Sequence, residues 1–358
     1  MEAGVILQDK RILVTGGTGS LGKVLLRRIL TGELGRPAKL IVFSRDEAKQ
    51  HDLRLQFKHR QVATDEIIYR NADELLTFQI GDVRNFHSVA SAMRGVDIVV
   101  NAAALKQVPT CEYSPYEAVM TNITGPENIV RAIEQLRLPV ETVVGVSTDK
   151  ACKPVNVMGM TKAIQERLFL QGNLRCDATR FIAVRYGNVL ASRGSVIPLF
   201  HDQIRQGGPI TLTTRLMTRF LLSLDNAVDT IVAALRGAKP GETYIPRVRS
   251  ARVEDIASVL IGNRPIEVVE TGIRPGEKVH EILISEEECH RTLIRGDFYA
   301  IQPILPELRS EERSGELKAE YSSADDTLDI PNLEHMLRRH DLMVDGDEAP
   351  DMTGELLR

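Results

Sequence analysis

Residues 147–162 read Ser-Thr-Asp-Lys-Ala-Cys-Lys-Pro-Val-Asn-Val-Met-Gly-Met-Thr-Lys and hold the densest chemistry in the chain. Thr148, Asp149 and Lys150 put a hydroxyl, a carboxyl and an amine in succession. Such a set can hold an oxygen, exchange protons with it and, where the amine is neutral, take a proton from carbon. One helical turn separates Met158 from Lys162. A tyrosine at the first of these positions would stack its phenol over the ammonium and ionise more readily, which suits it to accept a hydroxyl proton. A thioether carries no proton. Either another group moves it, or the chain is not a catalyst. On its own the segment also fits a polar strand-to-helix turn in which Asp149 caps backbone N–H groups.

The elements that must position these groups alternate. Short apolar runs at 11–15, 40–43, 75–80, 97–101, 140–147 and 181–186 read as strands, while 50–60, 20–29, 123–136 and 159–170 read as helices. Ser44 and Glu47 have capping-box spacing, which starts the second helix at Ser44, and Pro115 sits where another can begin. The alternation predicts a parallel sheet covered on both faces, an α/β doubly wound fold of Rossmann type. Thr148, Asp149 and Lys150 then follow the carboxyl end of the fifth strand, where such sheets bind ligands. Past residue 190 the pattern loosens. Strands at 210–213, 243–245 and 266–269, with helices at 225–238 and Val253–Ile261, predict a smaller lobe interleaved with returning pieces of the main sheet. A terminal helix is expected at 332–339, and disorder over the last dozen residues.

Gly16-Gly17-Thr18-Gly19-Ser20-Leu21-Gly22 joins the first strand to the first helix. The glycines permit a tight turn, close approach of a pyrophosphate and helix–sheet packing, with helix N–H groups aimed at the phosphates. Glycines alone make only a flexible turn; strand before and helix after point to a dinucleotide. The second strand ends Phe43-Ser44-Arg45-Asp46-Glu47-Ala48-Lys49. Arg45 and Lys49 can bracket a 2′-phosphate, whereas Asp46 is a candidate for a ribose hydroxyl. The acid falls inside the helix start rather than at the strand tip, so NADP is expected over NAD. Asp82 and Val83 are placed to meet the adenine edge, or to close a turn. Ala102, Ala103 and Ala104 offer small side chains where a ribose would press on backbone.

Composition excludes other classes. A net charge of −4 over 358 residues gives no global field for nucleic acid. Cys111, Cys152, Cys176 and Cys289 show no Cys-x-x-Cys pairing and the eight histidines no His-x-x-x-His, so neither a metal site nor a disulfide framework is expected. With no signal peptide and no apolar run near ~18 residues, a soluble cytoplasmic protein is expected.

Several segments carry a family likeness: 16–23, 43–47, Ala-Ala-Leu-Lys-Gln-Val-Pro at 103–109 and Ser-Thr-Asp-Lys-Ala at 147–151. Arg-Tyr-Gly-Asn-Val follows at 185–189, Ser-Arg-Gly-Ser-Val-Ile-Pro at 192–198, Met-Thr-Arg-Phe at 217–220, Gly-Ile-Arg-Pro-Gly-Glu-Lys-Val-His-Glu at 272–281 and Tyr-Ser-Ser at 321–323. In this order they resemble the UDP-N-acetylglucosamine 4,6-dehydratases, extended short-chain dehydrogenase/reductases of bacterial polysaccharide biosynthesis. One branch of that family keeps the tyrosine; the other, which retains configuration at C5, has methionine, so Met158 resembles a branch marker. Thr214-Arg215 stands where the family has Asp-Pro, and Met160 where it has alanine. Both departures are expected near the sugar pocket. Many relatives of the methionine branch carry an N-terminal membrane region, which is not seen here.

The resemblance implies C4 oxidation, loss of water across C5 and C6, and hydride return to C6. It implies that Thr148 holds the C4 oxygen, Asp149 protonates the C6 oxygen, Lys150 removes the C5 proton with a lowered pKa, and Lys162 holds the nicotinamide ribose. The C4 proton falls to Asp149 or to water on Thr148. The implied cofactor set is Gly16, Thr18, Gly19, Ser20, Leu21, Gly22, Ser44, Arg45, Asp46, Lys49, Asp82, Val83, Ala102–Ala104, Lys106, Asn122 and Lys162. The implied substrate set is Lys106, Asn188, Val196, Pro198, Thr211, Thr213, Met217, Arg219, Arg274 and Glu277, with Arg274 on the UDP pyrophosphate and Glu277 on the uridine ribose. Arg219 could serve likewise, or be an ordinary surface ion pair. Residues 1–190 are expected to form the NADP domain, joined by later segments near 220–240 and 275–300. Residues 191–340 mainly form the sugar-nucleotide lobe, 341–358 a disordered tail, and the chain a homo-oligomer. The alternatives are a related 5,6-eliminating enzyme, a dehydratase for another nucleotide sugar, and a non-catalytic NADP sensor.

Overall fold

The computed structural model describes residues 5–57, 63–190, 195–312 and 317–344. The end of the second expected helix, residues 192–194 of one family segment and most of the expected disordered tail lie outside them.

The first half of the chain runs β1 (Arg11–Thr15), α1 (Ser20–Leu30), β2 (Lys39–Ser44), α2 (Glu47–Gln56), α3 (Ala63–Leu75), β3 (Leu76–Ile80), α4 (Phe86–Ala92) and β4 (Ile98–Asn101). There follow α5 (Val108–Tyr113), α6 (Pro115–Val119), a π turn at Met120–Thr124, α7 (Gly125–Leu136), β5 (Thr142–Thr148), α8 (Val157–Arg175) and β6 (Arg180–Tyr186). The second half adds α9 (Val196–Arg205), β7 (Ile210–Leu212), β8 (Thr218–Phe220), α10 (Leu224–Gly237), β9 (Thr243–Pro246), β10 (Ser250–Arg252) and α11 (Val253–Ile261). It ends with β11 (Val268–Glu270), β12 (Ile282–Ile284), α12 (Glu286–Cys289), β13 (Thr292–Arg295), β14 (Phe298–Ile301), β15 (Tyr321–Ser322) and α13 (Ile330–Arg339).

One sheet organises the molecule, in the order β13-β14-β9-β6-β5-β4-β1-β2-β3. From β3 to β9 neighbours run parallel, and β14 and β13 close one edge antiparallel. Alternate side chains divide between two apolar layers, as a doubly covered sheet requires. Val14, Val100, Val144 and Val184 face α1 and α10 through Leu26 and Ile231. Leu13, Val99, Val143 and Phe181 face α7 and α8 through Ile129 and Phe169. A smaller lobe gathers α9, β7, α11 and α13 around Phe200, Leu212, Ile256 and Leu333.

Local differences from the sequence reading have physical causes. Ser44 does not start α2: it still pairs with Ile80 as strand, and Asp46 caps instead, its carboxylate accepting from Lys49 N–H at 3.0 Å. The helix from 159 begins earlier, because Asn156 accepts from Gly159 N–H at 2.8 Å. Helix α9 is not among the expected elements; it accommodates Pro198 because the residue falls in the first turn, where its missing N–H costs little.

A buried electrostatic knot joins the sheet to the later chain. Arg185 of β6 donates to Glu166 of α8 at 2.6 and 3.0 Å, to Glu288 of α12 at 2.8 and 3.1 Å, and to the Leu283 carbonyl at 2.8 Å. Arg185→Met would take the main cation from the shielded carboxylates of Glu166 and Glu288 and should cost about 3–5 kcal/mol. Arg338→Met, which breaks an exposed pair with Glu334 at 2.7 Å, should cost under about 1 kcal/mol. Chemical denaturation of the two variants measures the contrast.

Candidate active site

A cleft of about 1110 Å³ runs from the glycine loop, past the carboxyl ends of β2, β4, β5 and β6, to residues 211–219 and 274–281. It is lined at one side by Gly16, Thr18–Gly22, Ser44–Asp46, Lys49, Val83, Ala102–Ala104, Lys106 and Lys162. Asn188, Val196, Pro198, Thr211, Thr213, Met217, Arg219, Arg274 and Glu277 line it too, as do Thr148, Asp149, Lys150 and Met158.

Two expected cofactor residues do not line it. Asn122 is wholly buried, its amide closed on the Leu105 backbone at 2.8 and 2.9 Å and on Thr161 at 3.0 Å; it shapes the loop before Lys106. Asp82 turns its carboxylate to Arg84 at 2.6 Å and accepts from the Arg84 backbone N–H. The two family departures also point elsewhere. Met160 is exposed, and Arg215 is neutralised by Glu254 and by Glu270. Arg219 is no surface ion pair: it is buried and donates to the carbonyls of Thr218, Val279 and Lys278.

The glycine loop fits a dinucleotide pyrophosphate. Gly16 has φ +67°, and a Cβ there would fall 2.8 Å from Ala103 N. Helix α1 begins with Gly19 and no side-chain cap, so its first N–H groups are left to face an anion. At the second strand Asp46 is occupied by its cap and by Lys49 at 3.0 Å, while Arg45 is half exposed, 3.8 Å from Asp82.

The centre of the cleft is a charge cluster. Thr148 closes β5 and donates to Asp149 Oδ1 at 2.7 Å. Asp149 is fully buried, and its Oδ2 has no partner among the described residues. Lys150 Nζ lies 3.1 Å from Asp149 Oδ1, 3.2 Å from Asn188 Oδ1 and 3.2 Å from Glu281 Oε1. Two hydrogen bonds and an ion pair of this kind suit an ammonium, which has donors and no acceptor. Burial pulls the Lys150 pKa down, but Asp149 and Glu281 outweigh it and hold the pKa above the ordinary lysine value. The lowered pKa expected of Lys150 is therefore corrected: two carboxylates, absent from its sequence neighbourhood except Asp149, reverse it.

Lys162 is a strongly depressed lysine, and burial lowers Lys278 of the same cleft as well. Burial takes Lys162 to about 7 despite the nearby Glu166. Its amine meets the Val146 carbonyl at 2.5 Å and Gln165 Oε1 at 2.6 Å. One turn earlier Met158 lines the cleft and packs on Cys111 and Ala118.

Three residues escaped the sequence reading. Asn156 caps α8 and also donates to the Gly276 carbonyl at 2.8 Å, tying the catalytic helix to the turn that carries Arg274 and Glu277. Gly159 lets that helix approach: a Cβ there would fall 2.1 Å from the Lys150 carbonyl oxygen. Glu281 is 3% exposed, lines the cleft and has an unpartnered Oε2 among the described residues. Its place at the end of the 272–281 segment was the available signal.

A glycine-loop sheet with an acid–base cluster at its carboxyl edge is the frame of a dinucleotide-dependent enzyme, and the family match and relatives make it a nucleotide-sugar-modifying one of the extended short-chain dehydrogenase/reductase type. Residues 12–303 match the family described as polysaccharide biosynthesis protein, and the chain belongs to it. A UDP-glucose 4-epimerase of Rickettsia bellii is 43% identical over 299 residues, 82% of this chain and 83% of the relative. The X-ray structure of Pen from Bacillus thuringiensis superposes with TM-score 0.82 at 34% identity, covering 94% of this chain and 99% of that one. A dTDP-glucose 4,6-dehydratase, DesIV of Streptomyces venezuelae, solved with NAD bound, shares the fold at TM-score 0.62 and 21% identity, covering 75% and 86%. Among the described residues no helix is long and apolar enough to cross a membrane, and no metal-binding cluster occurs.

A lysine whose pKa falls on folding destabilises the native state fully below the folded pKa, and not at all above the unfolded one. Lys162→Met should therefore raise Tm most below pH 7, with the gain shrinking as pH rises from about 7 towards 10.5. Val146 O keeps a partner in the variant, Gln165 Nε2 at 3.0 Å. Thermal melts across that range give the test; a gain that grows with pH would contradict it.

Proposed function

We propose that the protein is an NADP-dependent UDP-N-acetylglucosamine 4,6-dehydratase, forming a UDP-4-keto-6-deoxy-N-acetylhexosamine. The observation that carries this reading is the cluster of Thr148, Asp149 and Lys150, with a sealed carboxyl oxygen available inside the cleft. A hexose C5–H is not acidic until C4 is a ketone. When bound, the nicotinamide supplies a hydride acceptor for C4 and the donor for C6, so no net redox change occurs.

The chain supplies proton handling. Thr148 binds the C4 oxygen. Asp149 takes the C4 hydroxyl proton and returns it to the departing C6 oxygen, which replaces the phenol that Met158 lacks. Lys150 stays an ammonium and stabilises the negative charge that develops on the C4 oxygen when C5 loses its proton. Arg274, with Glu277 held by Thr213 at 3.3 Å, binds the UDP, while Lys106 and Asn188 contact the sugar and its phosphate. Arg45 takes the 2′-phosphate of NADP, since Asp46 is engaged as a cap.

The names of the Rickettsia relatives favour a second reading, C4 epimerisation. That reaction needs proton transfer at the C4 oxygen alone and leaves the rest of the cluster without a task. Incubation with NADP and UDP-N-acetylglucosamine separates the two by product mass: loss of one water supports dehydration, an isomer of unchanged mass overturns it. Asp149→Asn should lower turnover by ~10²-fold or more, the scale of losing a general acid. Met158→Ala should keep turnover within about tenfold, because a packing contact and no proton is lost; a collapse equal to that of Asp149→Asn would contradict the role given to position 158. Arg45→Ala should weaken NADP by about 10–100-fold, the worth of a charged hydrogen bond, and leave NAD nearly unchanged; equal losses for both, by titration, would favour NAD.

A further inference from the structure

We propose that Glu281 is a catalytic residue, the acceptor of the C5 proton, working opposite Asp149 across the Lys150 ammonium. The inference rests on the dehydratase reading and supplies the base which that reading leaves unassigned.

Three observations carry it. Lys150 donates to Asp149 and Asn188 and pairs with Glu281 Oε1 at 3.2 Å, and an ammonium held this way has no lone pair with which to remove a proton. The Glu281 carboxylate lines the same cleft, is almost wholly shielded from solvent, and has one oxygen, Oε2, with no hydrogen-bond partner among the described residues. A desolvated carboxylate oxygen left open in a ligand cleft is costly unless something binds there. Finally, its backbone is clamped: Ser323 Oγ accepts from Glu281 N–H at 2.9 Å, and Ser323 N–H donates to the Glu281 carbonyl at 2.8 Å. Ser323 Oγ is itself 2.7 Å from Thr218 Oγ1, so the two strands beside the cleft fix this one side chain. The charged groups around Glu281 are Lys150, with Asp149 beyond it, Arg219 Nε at 3.8 Å, and Lys278.

The proton count closes. As C4 is oxidised, Asp149 gains the hydroxyl proton. The C5–H bond then breaks, its proton forming O–H at Glu281 and its electron pair forming C5=C6. The C6–O bond breaks with both electrons on oxygen, which takes the Asp149 proton and leaves as water. Hydride addition to C6, from the nicotinamide cofactor of the dehydratase reading, lets Glu281 return its proton to C5. Both carboxyl groups end as they began.

The test uses the full chain with NADP and UDP-N-acetylglucosamine in heavy water. Glu281→Gln keeps the side-chain shape and removes the basic oxygen. It should cut product formation by ~10²-fold or more and lose deuterium incorporation at C5, while a stoichiometric rise in cofactor absorbance shows that C4 oxidation persists. Glu281→Asp should recover part of the rate. Turnover of Glu281→Gln within about threefold of the unmodified protein would overturn the assignment. So would loss of C4 oxidation together with C5 exchange in both variants, which would make Glu281 a scaffold. If the unmodified protein itself neither expels water nor exchanges C5, the dehydratase reading fails first, and the variants are not needed to see it.

Discussion

The amine of Lys150 sits between two carboxylates that could not share so dry a site without it. Asp149 and Glu281 are both shielded from solvent, and each offers one oxygen to the same ammonium. The cation between them offsets the repulsion of two carboxylates in a dry site. The bridge also joins distant parts of the chain. Asp149 arrives at the end of the central β5, and Glu281 arrives just before β12, pinned by Ser323 beside β15. The cleft has its acid–base pair only where the sheet and the later segments meet, and the Arg185 knot with Glu166 and Glu288 secures that meeting from below.

This arrangement gives methionine a sensible place at position 158. A phenol there would be made acidic by a neighbouring ammonium, but burial leaves Lys162 with a pKa of about 7, a weak source of positive charge. Oxygen protons are handled instead by a carboxyl that already lies beside a hydroxyl and an ammonium. Met158 then packs on Cys111 and Ala118 and closes the wall.

Much of this was legible in the residues. The β-apolar runs, the glycine loop and Thr148–Lys150 at the end of the fifth strand all follow from local pattern, because neighbours in sequence decide them. What eluded the reading depends on groups far apart. The charge state of Lys150 is set by Asp149 beside it together with Glu281, 131 positions away in sequence. Asn122, which the resemblance puts at the cofactor, and Asp82, which reads equally as an adenine contact or a turn, each have a structural partner, the Leu105 backbone and Arg84. Ser44 reads as the cap from its spacing to Glu47, but strand pairing claims it and Asp46 caps α2. Asn156 links helix α8 to the Gly276 turn, a contact that local spacing does not encode.

The most direct measurement is the protonation of Lys150 itself. Nuclear magnetic resonance of the protein labelled at lysine Cε, with the Lys150 signal assigned from a Lys150→Arg variant, follows its charge against pH. The account requires that signal to remain that of an ammonium through neutral pH and beyond the ordinary lysine value. A Lys150 amine that loses its proton near neutrality would contradict it, and would return the base to the lysine.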